Sequence, residues 1–221
     1  MEPSRQLTLD LIRPLTPSFD NFVVGRNAEA LAALRALARA QGEPFVYLWG
    51  EAGSGRSHLL AALASARPGL LAAEGEPVPA FGDATGLYLV DDVERRDDAD
   101  QQRLFVLMNE VRAHPGAALV AAGNAPPTQL ALRDDVRTRL AWGLVYQVHA
   151  LSDDEKGRAL EAHARSRGLA LPADVIAYLL NHMPRDMRTL VAVLDALDGY
   201  ALAAGRAITV PLVREWARAA A

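Results

Sequence analysis

The sequence predicts a parallel α/β domain followed by a smaller domain built of helices alone. Up to residue 150, short apolar runs of strand length alternate with helical spacing, which is typical of a parallel sheet of about five strands covered on both faces. A glycine-rich loop, Gly50–Ser57, joins one such run to a helix. Beyond residue 150 the spacing is helical throughout. We therefore expect a tail over residues 1–15, an α/β core over 16–150 and a helical domain over 151–221.

Each element is predicted from its own pattern. Strands are uninterrupted apolar runs, and helices repeat apolar residues every three or four positions, as Leu31, Leu34 and Leu37 do. The predicted strands are Phe45–Trp49, Leu70–Ala73, Leu87–Val90, Ala118–Ala122 and Leu144–Val148. The predicted core helices are Ala28–Ala40, Ser57–Ala66 and Arg103–His114. Those of the second domain are Asp153–Arg167, Pro172–His182, Asp186–Ala203 and Pro211–Ala219.

Composition narrows the class of protein. The chain has 27 acidic and 23 basic residues, a net charge of −4, and this balance argues against a dedicated nucleic-acid or anionic-membrane binder. It contains no cysteine, which excludes a disulfide framework and a thiolate zinc site. The N-terminus lacks the pattern of a secretory signal, and no stretch has the composition of a membrane span. We expect a cytoplasmic protein.

The loop Gly50–Ser57 is the strongest functional motif. Its glycines, Gly50, Gly53 and Gly55, let backbone N–H groups of the loop, including that of Ser54, approach a phosphate chain, and the following helix adds partial positive charge. It matches a P-loop at every position except Arg56, where lysine is usual, and Ser57 is placed to bind Mg²⁺. Because a guanidinium is bulkier than an ammonium, we expect nucleotide binding with weak or no turnover. The alternative is a glycine-rich turn without a ligand.

Two carboxylates follow the third predicted strand. Asp91 is expected to hold the Mg²⁺ shell and Asp92 to polarise a water, since adjacent strand residues point to opposite faces. An apolar strand ending in Asp is common, so the motif gains its meaning from the upstream P-loop. Asn124, after the next strand, is a candidate to orient water or the γ-phosphate, or is a turn residue. The acidic residues around Glu94 are interpreted as a solvated loop.

Several stretches resemble the AAA+ ATPases, and within them the DnaA/Hda family, over residues 16–221. They are Phe19–Gly25, Gly50–Ser57, Leu87–Asp92, Arg137–Gly143 and Pro184–Leu190. The resemblance implies an AAA+ core with a small helical lid that binds ADP or ATP with Mg²⁺. It implies that Val23 and Val24 line the adenine pocket, that Arg139 is an arginine finger acting on a partner's γ-phosphate, and that Arg188 is the sensor 2 arginine.

Within that family the chain is similar to Hda-like regulators of DnaA. Arg56-Ser57-His58 matches their P-loop, which adds His58 to the nucleotide-binding candidates. Their N-terminal sliding-clamp motif is matched by a hexapeptide that begins at Gln6, whose amide and the side chains of Leu7, Leu9 and Leu11 are the candidate contacts. From the residues alone, a tail with chance leucines is the alternative. The stretch between Arg67 and Gly86 looks abbreviated, and the basic DNA-binding domain of full initiators is not expected.

The spacing of the arginines in the two arginine-containing motifs indicates which of them can act together on a phosphate. Arg137 and Arg139 point about 200° apart on a helix and cannot serve one phosphate together. Arg139 matches the finger, with a surface salt bridge as its alternative, and Arg137 is expected to be solvated. Arg185 and Arg188 share a helix face, so either can reach a nucleotide, and the motif favours Arg188. Trp142 is expected to serve packing.

The resemblance implies a negative regulator of replication initiation. It would dock on the sliding clamp, the beta subunit of DNA polymerase III, and promote hydrolysis of DnaA-bound ATP through Arg139. Its own nucleotide would be structural, with homo-oligomers possible and no strong direct DNA binding. The alternatives are a self-sufficient AAA+ ATPase or helicase loader acting on its own oligomer, and a DNA-binding initiator fragment.

Overall fold

The computed structural model describes residues 16–184 and 186–219. The chain divides into two compact units, one formed by Pro17–Ala150 and the other beginning at Leu151. The predicted motifs at Gln6–Leu11 and Arg185 lie outside the described residues. Within the described part of the chain, no helix combines the length and hydropathy that a membrane span requires.

The first unit contains a five-stranded parallel sheet, which confirms the predicted fold class. The strands are β1 (Phe45–Trp49), β2 (Leu70–Ala72), β3 (Leu87–Val90), β4 (Ala118–Gly123) and β5 (Leu144–Gln147). Their order is β2-β3-β4-β1-β5, so β1 lies between β4 and the edge strand β5. Register pairs Val46 with Val120 on one side and with Leu144 on the other.

Four helices cover the sheet. They are α1 (Ala28–Ala38), α2 (Arg56–Ala66), α3 (Asp98–Ala113) and α4 (Asp134–Leu140). Side chains alternate along each strand, so Val46 and Leu48 pack with α1 and α2, whereas Tyr47 packs with α3 and α4. The α3 helix begins five residues before the predicted Arg103, because its first turn is charged and the Asp97 side chain caps it by accepting from the Asp100 N–H.

The described residues of the second unit form four helices, as predicted. They are α5 (Asp153–Ser166), α6 (Ala173–His182), α7 (Met187–Ala204) and α8 (Val210–Ala219). The α5 helix starts in a capping box formed by Ser152 and Glu155. A separate apolar core, which includes Leu160, Leu179 and Trp216, holds the four helices together.

Candidate nucleotide site and arginine finger

The glycine-rich loop lies at the carboxyl edge of the sheet. It connects the end of β1 at Trp49 to the start of α2 at Arg56, between the positions of β4 and β5. Because all strands are parallel, the residues that follow β3 and β4 lie at this same edge. The loop adopts left-handed backbone at Gly53, with φ +77°, and at Gly55, with φ +103°. Both conformations favour glycine.

The three glycines serve different purposes. A Cβ on Gly50 would lie 2.2 Å from the carbonyl oxygen of Val148, and one on Gly55 would lie 2.9 Å from the ring of Phe22. Internal packing therefore excludes side chains at both positions. At Gly53 no heavy atom lies within 4 Å of the equivalent position. Gly53 thus borders open space at the tip of the loop, where a phosphate chain would lie against backbone N–H groups.

Arg56 carries a buried charge beside the loop. Its side chain is 10% exposed, and Nη2 lies 3.8 Å from Oδ1 of Asp92. Its Nη1 atom is buried and has no hydrogen-bond partner among the described residues, and the same is true of Ser54 Oγ. Buried donors without acceptors are costly. A nucleotide phosphate supplies such acceptors, so the residues present fit a bound nucleotide.

Asp91 and Asp92, which follow β3, do not continue the strand whose alternation was predicted to point them to opposite faces of the sheet. The strand ends at Val90, and Asp92 has φ +45° at the start of a 3-10 turn, so the strand-based argument for opposite faces is wrong. Asp91 is buried and its Oδ1 accepts from the backbone N–H of Asp92 at 3.0 Å. Burial, then the charges of Asp91 and Glu94, raise the pKa of Asp92, and the Arg56 guanidinium counteracts this rise.

The segment after Asp92 is solvated only in part: Asp97 and Asp98 are exposed, as expected, but Arg96 is buried. Arg96 is 7% exposed and donates to the carbonyl oxygens of Ala72, Ala73, Glu76 and Asp91. It therefore joins the ends of β2 and β3. Glu94 has one buried carboxylate oxygen without a partner in the described part of the chain. Burial raises the pKa of Tyr47, and Glu94 adds to this while Arg56 opposes it.

The segment before α1 packs against the P-loop helix. His58 Nε2 lies 3.0 Å from the carbonyl oxygen of Ser18, and the rings of Phe22 and His58 are 5.5 Å apart. Val23 is half-buried and Val24 is 37% exposed. The segment is thus held beside the loop where the resemblance puts the adenine pocket. That Val23 and Val24 line this pocket stays a prediction.

Three other predicted residues are placed without a test of their role. Ser57 is exposed in the first turn of α2, and Asn124 is exposed directly after β4. Arg188 is exposed in the first turn of α7, which Asp186 caps. The described residues contain no cluster of three or more His, Asp or Glu side chains that is arranged as a metal site.

Arg139, the candidate finger, is held by residues that the sequence analysis did not identify. Its Nε donates to Asn109 Oδ1 at 3.1 Å and its Nη1 to the carbonyl oxygen of Asp135 at 2.9 Å. Its guanidinium lies 4.1 Å from the ring centre of Phe105 and 5.0 Å from that of Trp142. Within the described residues no carboxylate forms an ion pair with it. The guanidinium is therefore oriented by hydrogen bonds and ring contacts without a close ion pair to a described carboxylate.

Trp142 and Arg137 behave as expected from the sequence. The Trp142 ring packs edge-on against Phe45 and contacts the guanidinium of Arg112 at 4.3 Å, so it serves packing. Arg137 pairs with Asp134 at 2.6 Å on the surface of α4. Arg137 and Arg139 thus have separate surroundings although they lie on one short helix.

Comparison with known proteins shows which families two segments of the chain resemble. Residues 15–69 match the family described as "Bacterial DnaA ATPAse domain", and residues 153–216 match the family "Hda, lid domain". The chain is thus similar to DnaA in its first part and to Hda in its lid.

Solved structures confirm the AAA+ fold. Domain III of Thermotoga maritima DnaA superposes with a TM-score of 0.65 at 19% identity, covering 93% of this chain and 96% of that one. AMPPCP-bound DnaA from Aquifex aeolicus gives 0.67 at 19% identity, covering 86% and 67%. A Thermotoga maritima RuvB mutant gives 0.64 at 14% identity, covering 92% and 72%. The chain spans about two thirds of the longer DnaA structure.

Proposed function

We propose that this DnaA/Hda-like AAA+ protein is a negative regulator of DNA replication initiation. It docks on the DNA sliding clamp and supplies Arg139 to the ATP bound on DnaA, which promotes hydrolysis of that ATP. The observation that carries the proposal is how the Arg139 guanidinium is held. Two of its nitrogens are held by Asn109 and Asp135, and no described carboxylate forms an ion pair with it. Its other N–H groups form no hydrogen bond with a described residue, so they are the donors that this proposal assigns to a phosphate.

The chain's own nucleotide serves as a structural cofactor in this proposal. ADP or ATP lies against Gly50–Ser57, and Ser57 and Asp91 hold its Mg²⁺. Arg56 lies within 3.8 Å of Asp92, so the residue that would polarise water is already paired with a cation. This pairing supports weak turnover by the chain alone. Arg188 contacts the nucleotide in the same proposal.

The partners are proposed from the matched families. The Hda lid match and the DnaA ATPase match support interaction with DnaA. The segment Gln6–Leu11 is proposed to bind the clamp, with Gln6, Leu7, Leu9 and Leu11 as the contacts. The protein would act in the cytoplasm without strong direct DNA binding.

The central experiment measures ATP hydrolysis by DnaA with clamp-loaded DNA, with this protein added or withheld. We expect stimulation that Arg139→Ala abolishes and that Arg137→Ala leaves unchanged. Arg137 is the matched control because it lies on the same helix and, among the described residues, pairs only with the surface carboxylate of Asp134. Circular dichroism and ADP binding verify that both variants fold. Retained stimulation by Arg139→Ala would refute the proposal.

Clamp docking is tested separately. The double variant Gln6→Ala and Leu9→Ala should lower affinity for the clamp by at least tenfold in surface plasmon resonance, because it removes the amide and one apolar anchor. Its ADP affinity should not change. A clamp affinity equal to that of the parent would rule out docking through this segment.

A self-sufficient ATPase acting on its own oligomer is the second candidate. This candidate is favoured by three polar residues at the carboxyl edge of the sheet. They are Asp91 and Asp92 after β3 and the exposed Asn124 after β4. Steady-state ATP turnover by the protein without DnaA or clamp distinguishes the two. A high rate of ATP hydrolysis per protein molecule that increases with protein concentration, as assembly of an oligomer requires, would support this candidate over the regulator.

A further inference from the structure

An apolar groove lies beside β5 on the face of the sheet that α1 covers. It has a volume of about 350 Å³. Ala32, Ala33 and Ala36 of α1 form one wall, and Leu144 and Tyr146 of β5 form the floor. Three short side chains on the helix leave space that larger residues would fill. The groove therefore has room for one further apolar side chain.

The strand under the groove has an open edge. Among the described residues β5 pairs only with β1, which leaves its outer backbone N–H and C=O groups available. Leu144 and Val145 are each 39% exposed. The strand Leu144–Gln147 has neither a charge nor a proline, the features that usually protect an edge from pairing. The edge thus suits the addition of one further strand.

Carboxylates lie at the two ends of the groove. Glu29 is in the first turn of α1, and Glu43 lies in the short connection between α1 and β1. Because such a connection makes the helix run antiparallel to the strand, the two carboxylates are separated by roughly the 16 Å length of an 11-residue helix. Neither forms an ion pair with a described residue, and none of the basic residues that the structure describes lines the groove.

We propose that the groove and the outer edge of β5 bind an extended segment of a partner protein by strand addition. The segment pairs its backbone with β5, places one apolar side chain in the groove and sets basic residues against Glu29 and Glu43. A second copy of this chain is disfavoured, because antiparallel pairing of β5 with itself would oppose the acidic ends of both grooves. The site uses none of the residues assigned above to nucleotide, clamp or DnaA.

The probe is the blocked, fluorescein-labelled pentapeptide Lys-Thr-Leu-Thr-Lys, whose alternation puts both lysines and the leucine on one face. Its binding to the full chain is measured by fluorescence anisotropy. We expect saturable binding that weakens at least tenfold in the Glu-Thr-Leu-Thr-Glu peptide. Ala36→Leu, which fills the groove, should also weaken it at least tenfold. Ala203→Leu makes the same change at an exposed position of α7 and should have no effect.

A charge exchange gives the decisive comparison. In the double variant Glu29→Lys and Glu43→Lys the acidic peptide should bind more tightly than the basic one, and circular dichroism verifies the fold. Three results would overturn the proposal. The first is that the basic peptide shows no saturable binding. The second is that the charge-exchanged double variant still binds the basic peptide more tightly than the acidic one. The third is that analytical ultracentrifugation shows dimers of the parent protein that Ala36→Leu dissociates. The last result would assign the edge to a second copy of the chain.

Discussion

Arg139 and Asn109 are joined by a hydrogen bond of 3.1 Å between helices α4 and α3. The amide oxygen of Asn109 accepts from Nε, and the ring of Phe105 lies under the guanidinium one turn earlier on α3. Together they restrict the rotation of a side chain that is otherwise among the most flexible. Preorganisation of this kind is what a charge aimed at a phosphate requires.

The substitution Asn109→Ala should therefore impair the positioning of the Arg139 guanidinium without removing its charge. We expect stimulation of DnaA ATP hydrolysis to fall about three- to tenfold, since the guanidinium loses one of its fixed contacts. Binding of ADP to the protein should not change. Gln102→Ala is the matched control, because Gln102 lies on the same helix and accepts from Arg133 rather than Arg139. Equal stimulation by both variants would show that Asn109 does not position the arginine.

Gly53→Ala tests the open space at the tip of the P-loop. A methyl group there occupies the volume assigned to phosphate, so ADP affinity measured by calorimetry should fall at least tenfold. Gly75→Ala is the control, because Gly75 has φ +79°, close to the φ +77° of Gly53, and equally open surroundings. Both variants should lose about 1–2 kcal/mol of stability from backbone strain. Only Gly53→Ala should lose nucleotide.

Asp92→Asn should make stability less dependent on pH. The pKa of Asp92 is raised by burial and by Asp91 and Glu94, so the folded protein binds this proton more tightly than the unfolded chain. Ionisation therefore lowers stability as pH rises above the unfolded value of about 3.9. Asparagine removes this cost and tolerates the positive φ. Urea unfolding should show Asp92→Asn to be more stable than the parent at pH 7, with no advantage below pH of about 4. A less stable variant at pH 7 would contradict the argument.

Arg96→Ala should be strongly destabilising. The substitution removes one donor from each of four carbonyl oxygens, of which those of Ala72 and Ala73 keep a backbone N–H donor. It also removes a cation 3.6 Å from Asp100. We expect a loss of about 3 kcal/mol or more in the free energy of unfolding. Arg95→Ala is the neighbouring control, because its exposed pair with Glu74 is worth less than about 1 kcal/mol. Equal losses would show that burial of Arg96 contributes nothing.

Local sequence patterns predict the layers of the fold and the location of the phosphate loop. Apolar runs such as Phe45–Trp49 and the glycine spacing from Gly50 to Gly55 are local patterns, and local patterns specify strands and turns. The predicted strand Leu70–Ala73 was confirmed as Leu70–Ala72 for the same reason. The resemblance of the Arg137–Gly143 stretch also predicts that Arg139 is a functional residue.

The contacts of the charged side chains, in contrast, follow from the packing of the folded chain. Asn109 precedes Arg139 by 30 positions and Arg96 follows Ala72 by 24, separations that no periodic pattern encodes. The charged stretch after Asp92 looked solvated because charged residues usually are, yet the ends of β2 and β3 supply carbonyl oxygens that bury Arg96. The groove beside β5 likewise exists only because α1 lies across that edge of the sheet. Contacts between distant segments depend on how the elements pack, and packing is a property of the folded chain.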